Sequence, residues 1–169
     1  TSSHDSKRGE DARARIVALS GRPREWADAV ERWTGMLKDA GALGLEPNDA
    51  WYFFQLLLGA WPAHFPETGP LDPLDLDSFR KRLVAAMLKS VREARTRTNW
   101  AVPKTGYEET VSRFVAEALA PHPDNSFLQS FRETERELAE AGARNGLVEL
   151  TLKLTVPGVP DIYQGAEFW

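Results

Sequence analysis

The most constraining feature of this sequence is a series of apolar residues spaced three or four positions apart, the spacing of one helix face. Four such stripes occur, made up of Trp26, Val30, Trp33 and Leu37; Phe79, Leu83, Met87 and Val91; Tyr107, Val111, Phe114, Val115 and Ala118; and Phe127, Phe131 and Leu138. Pro23 precedes the first stripe at a position where proline favours a helix start. The pattern predicts a mainly α-helical chain of six or seven helices.

Residues 51–61 are apolar on nearly every side of a helix, which predicts a central buried helix beginning after Asn48. The run is too short to cross a bilayer, which needs about 20 apolar residues. We therefore expect no membrane partner. Thr105 and Glu108 have the spacing of a capping box, which predicts the start of the helix carrying the third stripe.

Residues 148–156 alternate strictly between apolar and polar, as a half-buried strand does. Leu147, Leu150 and Leu154 also fit one face of a helix. Pro157 and Gly158 would end either element. Periodicity alone favours the strand here.

Composition excludes several classes of function. The chain has 169 residues, 42% of them hydrophobic, a net charge of −4 and a pI near 5.5, which argues against nucleic-acid binding. It contains no cysteine, so disulfides, thiol catalysis and cysteine-based zinc sites are excluded, and a cytoplasmic location fits. The histidines do not have the spacing of metal ligands, so no metal is expected. The sequence also lacks the glycine-rich loops that bind nucleotides and the G-x-S-x-G motif of serine hydrolases. The first residues show no basic-then-apolar leader, so no signal peptide is expected.

Polar residues cluster at the start of the chain, where His4 and Asp5 are followed by Lys7 and Arg8. A short stretch with both charge signs and a histidine suits a hydroxyl-rich ligand, because sugars present donors and acceptors together. The alternative is a solvated helix start.

Two further features have competing interpretations. The basic run over 80–97 is typical of a solvated helix face. Trp100 lies in a stretch rich in helix breakers, where an aromatic ring either stacks on a sugar or packs a loop.

Five motifs resemble one family. They are T-S-S-H-D-S-K-R-G-E-D at 1–11, L-L-L-G-A-W-P at 56–62, R-T-N-W-A-V-P at 97–103, G-Y-E-E at 106–109 and K-L-T-V-P-G-V-P-D-I-Y-Q-G-A-E-F-W at 153–169. Together they resemble the maltooligosyl trehalose synthases of the alpha-amylase superfamily. Ser3 and Ser6 stand where threonine is expected in the family, and serine keeps the hydroxyl.

The resemblance implies specific roles at the two ends of the chain. The superfamily carries three catalytic carboxylates at the C-terminal face of a (β/α)8 barrel. Asp5 matches the third, which holds sugar hydroxyls and strains the ring toward the transition state. His4 matches the histidine that hydrogen-bonds the same sugar. Lys7 and Arg8 match residues near that site. The loop after the eighth strand would place Tyr163, Gln164 and Glu167 near the cleft.

The resemblance also implies how the chain is divided. Residues 1–8 would be the end of the seventh strand and its catalytic loop, and 9–142 a helical insertion domain. Residues 143–169 would be the last barrel helix, the eighth strand and the following loop. This makes 147–156 helical, contrary to the alternation. Residues 1–8 and 159–167 should then lie close together.

The implied activity belongs to a parent enzyme that converts the reducing-end α-1,4 linkage of a maltooligosaccharide into an α,α-1,1 linkage. The nucleophile and general acid would lie earlier in that parent, so this fragment alone should be inactive. Its partners would be the maltooligosaccharide and the rest of the barrel, with no cofactor or metal. The alternatives are another glucan hydrolase or transferase of the superfamily, and a stand-alone helical module that binds a partner through 51–61.

Overall fold

The computed structural model describes residues 8–42 and 44–162, which form six α-helices and no strand. The helices are α1 (Glu10–Ala18), α2 (Pro23–Asp39), α3 (Pro47–Ala60), α4 (Pro73–Ala94), α5 (Thr105–Ala118) and α6 (Ser126–Thr155). A single 3-10 turn, Leu19–Gly21, joins α1 to α2. The predicted mainly α-helical fold is confirmed.

Helix α3 is the central element of the core, as the apolar run predicted. Phe53, Phe54 and Leu57 on this helix are completely buried. It begins at Pro47 rather than after Asn48, because proline is well suited to the first helical position and Asn48 caps nothing there. The four apolar stripes lie on the surrounding helices, and their members are buried except Tyr107, which is half-buried.

Trp33 is the aromatic centre of this core. Its ring lies 5.4 Å from that of Phe54, 5.6 Å from that of Phe131 and 5.5 Å from that of Trp26, between centroids. Its indole N–H donates to the hydroxyl of Ser130 at 3.1 Å, so the buried polar atom has a partner. Helices α2, α3 and α6 are therefore joined through one side chain.

Two helices begin at side-chain caps. The Asp72 carboxylate accepts hydrogen bonds from the backbone N–H groups of Leu74 and Asp75, at 2.8 and 3.1 Å, at the start of α4. Asn125 caps α6 in the same way through the N–H of Leu128, at 2.9 Å. This second cap begins the helix that carries the stripe of Phe127, Phe131 and Leu138.

The capping box predicted at Thr105 is wrong. Thr105 is the first residue of α5, and its N-cap, Lys104, makes no side-chain cap hydrogen bond. The Glu108 carboxylate instead accepts from Arg92 Nε at 2.9 Å and from the Thr98 hydroxyl at 2.7 Å. A charge-assisted bond to arginine is stronger than the bond to a backbone N–H that the motif predicts, and it occupies this carboxylate.

Helix α6 runs for 30 residues without interruption and ends at Thr155. The strand that alternation favoured over 148–156 is therefore wrong, and the helix implied by the family resemblance is right. The described residues 159–162 form no strand. The boundary predicted between residues 142 and 143 falls inside α6, and that division stays a prediction.

Helix α1 packs against α3 and α6. Gly59 on α3 permits a close crossing, because a Cβ there would lie 3.4 Å from the Ala12 Cβ. The Asn145 side-chain amide donates to the carbonyl of Ala14 at 3.3 Å. Small residues at the crossing thus set how near α1 lies to its neighbours.

The side chain of Arg15 on α1 is buried, with 2% of its surface exposed. Its Nη1 donates to the carbonyls of Trp61, at 2.7 Å, and Leu58, at 3.3 Å, which belong to the C-terminal end of α3. A cation is favoured there, because the last carbonyls of a helix lack intrahelical partners. Nη1 also lies 3.5 Å from Glu135 Oε1 on α6.

We expect the substitution Trp33→Ala to lower the free energy of unfolding by about 3–5 kcal/mol, since it opens a cavity among well-packed aromatic rings. The measurement is urea unfolding followed by circular dichroism. The matched control is Leu74→Ala, at a side chain 81% exposed, which should change stability by less than about 0.5 kcal/mol. Equal effects of the two substitutions would contradict the role given to Trp33.

Candidate functional site

Most of the site residues predicted from the sequence fall outside the described part of the chain. These are Asp5, His4, Lys7, Tyr163, Gln164 and Glu167. The predicted proximity of 1–8 and 159–167 likewise falls largely outside it. Arg8 is described, and it shows where the N-terminal segment meets the helices.

Arg8 contacts the middle of the molecule through Tyr52. Its Nη2 donates to the Tyr52 hydroxyl at 2.6 Å, and its guanidinium carbon lies 5.4 Å from the centre of the Tyr52 ring. The same hydroxyl lies 2.8 Å from the Ser90 hydroxyl on α4. A chain of polar contacts therefore connects the N-terminal segment to α3 and α4.

A groove of about 350 Å³ opens beside this chain of contacts. We call it the Tyr52 groove, and its lining residues are Asp49, Tyr52, Ser90, Val91, Glu93 and Ala94. The Tyr107 hydroxyl donates to Asp49 Oδ2. Burial, together with the negative charge of Asp49, raises the pKa of Tyr107, so this phenol stays protonated and remains a donor. The hydrogen bond from Tyr107 on α5 thus fixes the orientation of the Asp49 carboxylate.

The loop between α4 and α5 is fixed next to the groove by Glu108. Its hydrogen bonds from Arg92 and Thr98 hold the pKa of Glu108 at about 2, so it is ionised at neutral pH. Arg92 in turn lies over the Trp100 ring, 4.8 Å from its centre. Trp100 therefore contacts the last turn of α4, while 56% of its surface stays exposed.

The basic run over 80–97 is largely paired with acids. Asp77 pairs with Arg80 and Lys81 on the same helix, and Arg97 lies 2.7 Å from Glu46. These pairs fit the interpretation as a solvated helix face.

The two predicted site segments flank a pair of helix ends that contact each other. Glu10, at the start of α1, pairs with Lys153, near the end of α6, and both side chains are about nine-tenths buried. Residues 1–8 lie directly before Glu10, and the predicted second segment begins a few residues after Lys153. The contact joins the described flanks of the two segments.

An apolar face of α6 is left uncovered near this contact. Leu147, Val148, Leu152 and Leu154 are each more than half exposed, and Val156 continues the patch. Glu149, Leu150 and Lys153 are the less exposed positions. This C-terminal half of the helix thus presents apolar side chains outward, the reverse of an ordinary surface helix.

Sequence reasoning missed the Tyr52 groove. The apolar pattern over 51–61 includes Tyr52 as one more buried residue. A tyrosine in such a run nevertheless carries a hydroxyl that needs a hydrogen-bond partner. The contacts from Asp49 to Tyr107 and from Tyr52 to Ser90 join residues 58 and 38 positions apart, beyond the reach of local spacing.

The described ranges contain neither a membrane-spanning helix nor a cluster of metal ligands. No helix there is long and apolar enough to span a membrane. The same ranges contain no group of three or more metal-ligating side chains placed to hold an ion.

Comparison with known proteins identifies relatives along nearly the whole chain. No family model matches. Two Mycobacterium tuberculosis proteins (strains CDC 1551 and H37Rv), provisionally named maltooligosyl trehalose synthase, are 32% identical over 99% of this chain. The chain spans 20% of the length of each.

Solved structures give the same match. A hypothetical maltooligosyl trehalose synthase of Sulfolobus tokodaii is 30% identical with a TM-score of 0.76, covering 92% of this chain and 20% of that one. The maltooligosyltrehalose synthase of Arthrobacter ramosus is 35% identical with a TM-score of 0.71, covering 99% and 19%. The helical arrangement described above is therefore shared with one segment of these larger proteins.

We expect Glu108→Gln to lower stability in a pH-dependent way. The pKa of Glu108 is depressed to about 2 in the folded state, so its ionised form stabilises the fold above the ordinary glutamate pKa of about 4.3, and this contribution is lost as pH falls toward 2. The difference in unfolding free energy between wild type and variant should be largest at pH 7 and should shrink at pH 3, measured by urea unfolding.

The control for this experiment is Glu109→Gln, because the Glu109 side chain is exposed on the neighbouring position of α5. It should change stability little at either pH. A loss for Glu108→Gln that is the same at pH 7 and pH 3 would contradict the assigned ion pair.

Proposed function

This chain belongs to the maltooligosyl trehalose synthase family, of whose members it spans about one fifth, and on that premise we propose that it supplies part of a glucan-isomerising active site. The proposed reaction moves the reducing-end glucosyl unit of a maltooligosaccharide from an α-1,4 to an α,α-1,1 linkage within one molecule, the activity of a (1→4)-α-D-glucan 1-α-D-glucosylmutase. A cytoplasmic enzyme fits the absence of cysteine.

Asp5 is the proposed catalytic group of this chain. Retention of configuration requires one carboxylate as nucleophile and a second as acid and base. Both would come from outside this segment, so the isolated segment should be inactive. Asp5 would hold the hydroxyls of the sugar at the reacting bond and stabilise the positive charge that develops there, while His4 donates a hydrogen bond to the same sugar.

The observation that carries this proposal is the anchoring of Arg8 on Tyr52. Arg8 lies three residues after Asp5, a separation of at most about 11 Å in extended backbone. Arg8 and Lys7 would bind the substrate on one side of Asp5. The pairing of Glu10 with Lys153 supports a site shared with Tyr163, Gln164 and Glu167, because it brings the two flanks together.

The division of the chain is part of the same proposal. Residues 1–8 and 143–169 would belong to the barrel and 9–142 to the helical insertion. The uncovered apolar face over 147–156 supports this division, because an exposed patch of that kind marks a surface that another part of a protein covers. The remaining four-fifths of a full-length synthase would supply that cover.

Two alternatives are less well supported. Another glucan hydrolase or transferase of the same superfamily would use Asp5 identically, but the relatives described above carry the synthase name. The stand-alone module needed an accessible apolar segment at 51–61. Helix α3 instead buries Phe53, Phe54 and Leu57 within this chain's own core, so the apolar face of that segment is already occupied.

In a full-length synthase containing this chain, we expect Asp5→Asn to lower turnover about 10²-fold or more. The substitution keeps the size of the side chain and removes the charge that stabilises the transition state. His4→Ala should cost less, because it removes one hydrogen bond and no charge. The measurement is the rate of trehalosyl formation from maltopentaose.

The matched control for these variants is Glu133→Gln, which neutralises an exposed carboxylate on α6, with circular dichroism to verify equal folding. Near wild-type turnover in Asp5→Asn would show that Asp5 is not the catalytic group.

We expect Tyr52→Phe to raise KM several-fold with little change in kcat. The variant keeps the ring but loses the hydroxyl that positions Arg8, and a group that binds substrate equally in the ground and transition states affects KM alone. Ser90→Ala should also raise KM, but by less, since it removes only the contact between the Ser90 and Tyr52 hydroxyls. The measurement is steady-state kinetics over a range of maltopentaose concentrations.

A fall in kcat with unchanged KM would contradict the positioning role of Tyr52. Tyr107→Phe serves as the comparison, because it removes a neighbouring phenol that contacts Asp49 and not Arg8.

A further inference from the structure

We propose that the Tyr52 groove is a separate binding subsite for one glucosyl unit of an α-1,4-linked glucan. Its volume of about 350 Å³ lies at the lower end of the range of small-molecule sites, about 300–1,000 Å³. None of the described residues that line it lies in the segments assigned to catalysis. The groove is formed by the first turns of α3 and the last turns of α4.

The lining of the groove matches the chemistry of a neutral sugar. The carboxylates of Asp49 and Glu93 accept hydrogen bonds from hydroxyls, and the hydroxyls of Tyr52 and Ser90 can both donate and accept. Ala94, together with the ring of Tyr52, supplies an apolar wall for the C–H face of a pyranose. Few other uncharged ligands offer so many donors around an apolar face.

Charged ligands fit the groove less well. The described lining residues include two carboxylates and no lysine or arginine, and the nearby Arg8 guanidinium already donates to Tyr52, so a phosphate or carboxylate would meet two acidic residues. A cation would have to compete with the contacts that the two carboxylates already make. Asp49 accepts from Tyr107, and Glu93 lies 4.0 Å from Lys89 on the same helix. A neutral ligand leaves both contacts in place.

The choice of an α-1,4-linked glucan rests on the proposed function. Tyr52 belongs both to the groove and to the contact with Arg8, three residues from Asp5. One oligosaccharide could therefore reach from the catalytic segment into the groove. The subsite would hold a unit distant from the reacting bond and so add binding energy without taking part in the chemistry.

The test is a titration of this ¹⁵N-labelled 169-residue chain with maltopentaose, followed by amide shifts in NMR spectra. We expect saturable shifts confined to the first turns of α3 and the last turns of α4. Glu93→Gln and Ser90→Ala should each weaken binding about ten-fold, the effect of losing a hydrogen bond to a sugar hydroxyl. Glu133→Gln, the same change on a distant surface, should leave the affinity unchanged.

Three results would overturn the subsite. They are an absence of shifts in α3 and α4, equal affinity in Glu93→Gln and Glu133→Gln, and displacement of maltopentaose from the groove by spermidine, which would show a cation site.

The result of this titration can be separated from the test of the proposed function. If Asp5→Asn abolishes turnover in a full-length synthase but the groove binds no maltopentaose, the subsite alone is wrong. If the groove binds and Asp5→Asn retains turnover, only the catalytic assignment is wrong.

Discussion

The buried guanidinium of Arg15 is the interaction on which the arrangement of the helices depends. A cation with almost no exposure is costly unless it is paired and hydrogen-bonded. Arg15 meets that requirement by binding the last carbonyls of α3 and by lying next to Glu135 of α6. Burial raises the pKa of Glu135, and the charge of Arg15 opposes this increase. Three helices must be in place at once for these partners to exist, so the position of α1 is tightly defined.

The position of α1 matters because the proposed catalytic segment immediately precedes it. The short helix is held by Arg15 in its last turns and by the pairing of Glu10 with Lys153 at its start. Arg8 then reaches sideways to Tyr52, on the helix whose C-terminal end Arg15 caps. A buried charge in the scaffold and a polar contact at the surface therefore fix the same piece of backbone from two sides.

The sequence predicts the fold well wherever a helix buries an apolar stripe, as with Trp26, Val30, Trp33 and Leu37 of α2. It fails where a polar residue has a stronger distant partner, as Glu108 does with Arg92. It also misleads over 148–156, where most apolar residues of a helix face outward and polar Lys153 pairs with Glu10 of α1. Periodicity assumes that apolar residues point toward the chain's own core, and here they do not.

Helix α1 makes its contacts with α6 through residues more than a hundred positions away in the sequence. Arg15 meets Glu135, Ala14 accepts from Asn145 across 131 positions, and Glu10 meets Lys153 across 143. During translation α1 leaves the ribosome before α6, so it completes its packing late, since its partners on α6 emerge only after the other helices of this bundle have been made. Closing so long a loop is entropically unfavourable until those contacts form. The segment proposed to carry Asp5 is therefore set in place only after α6 has been made.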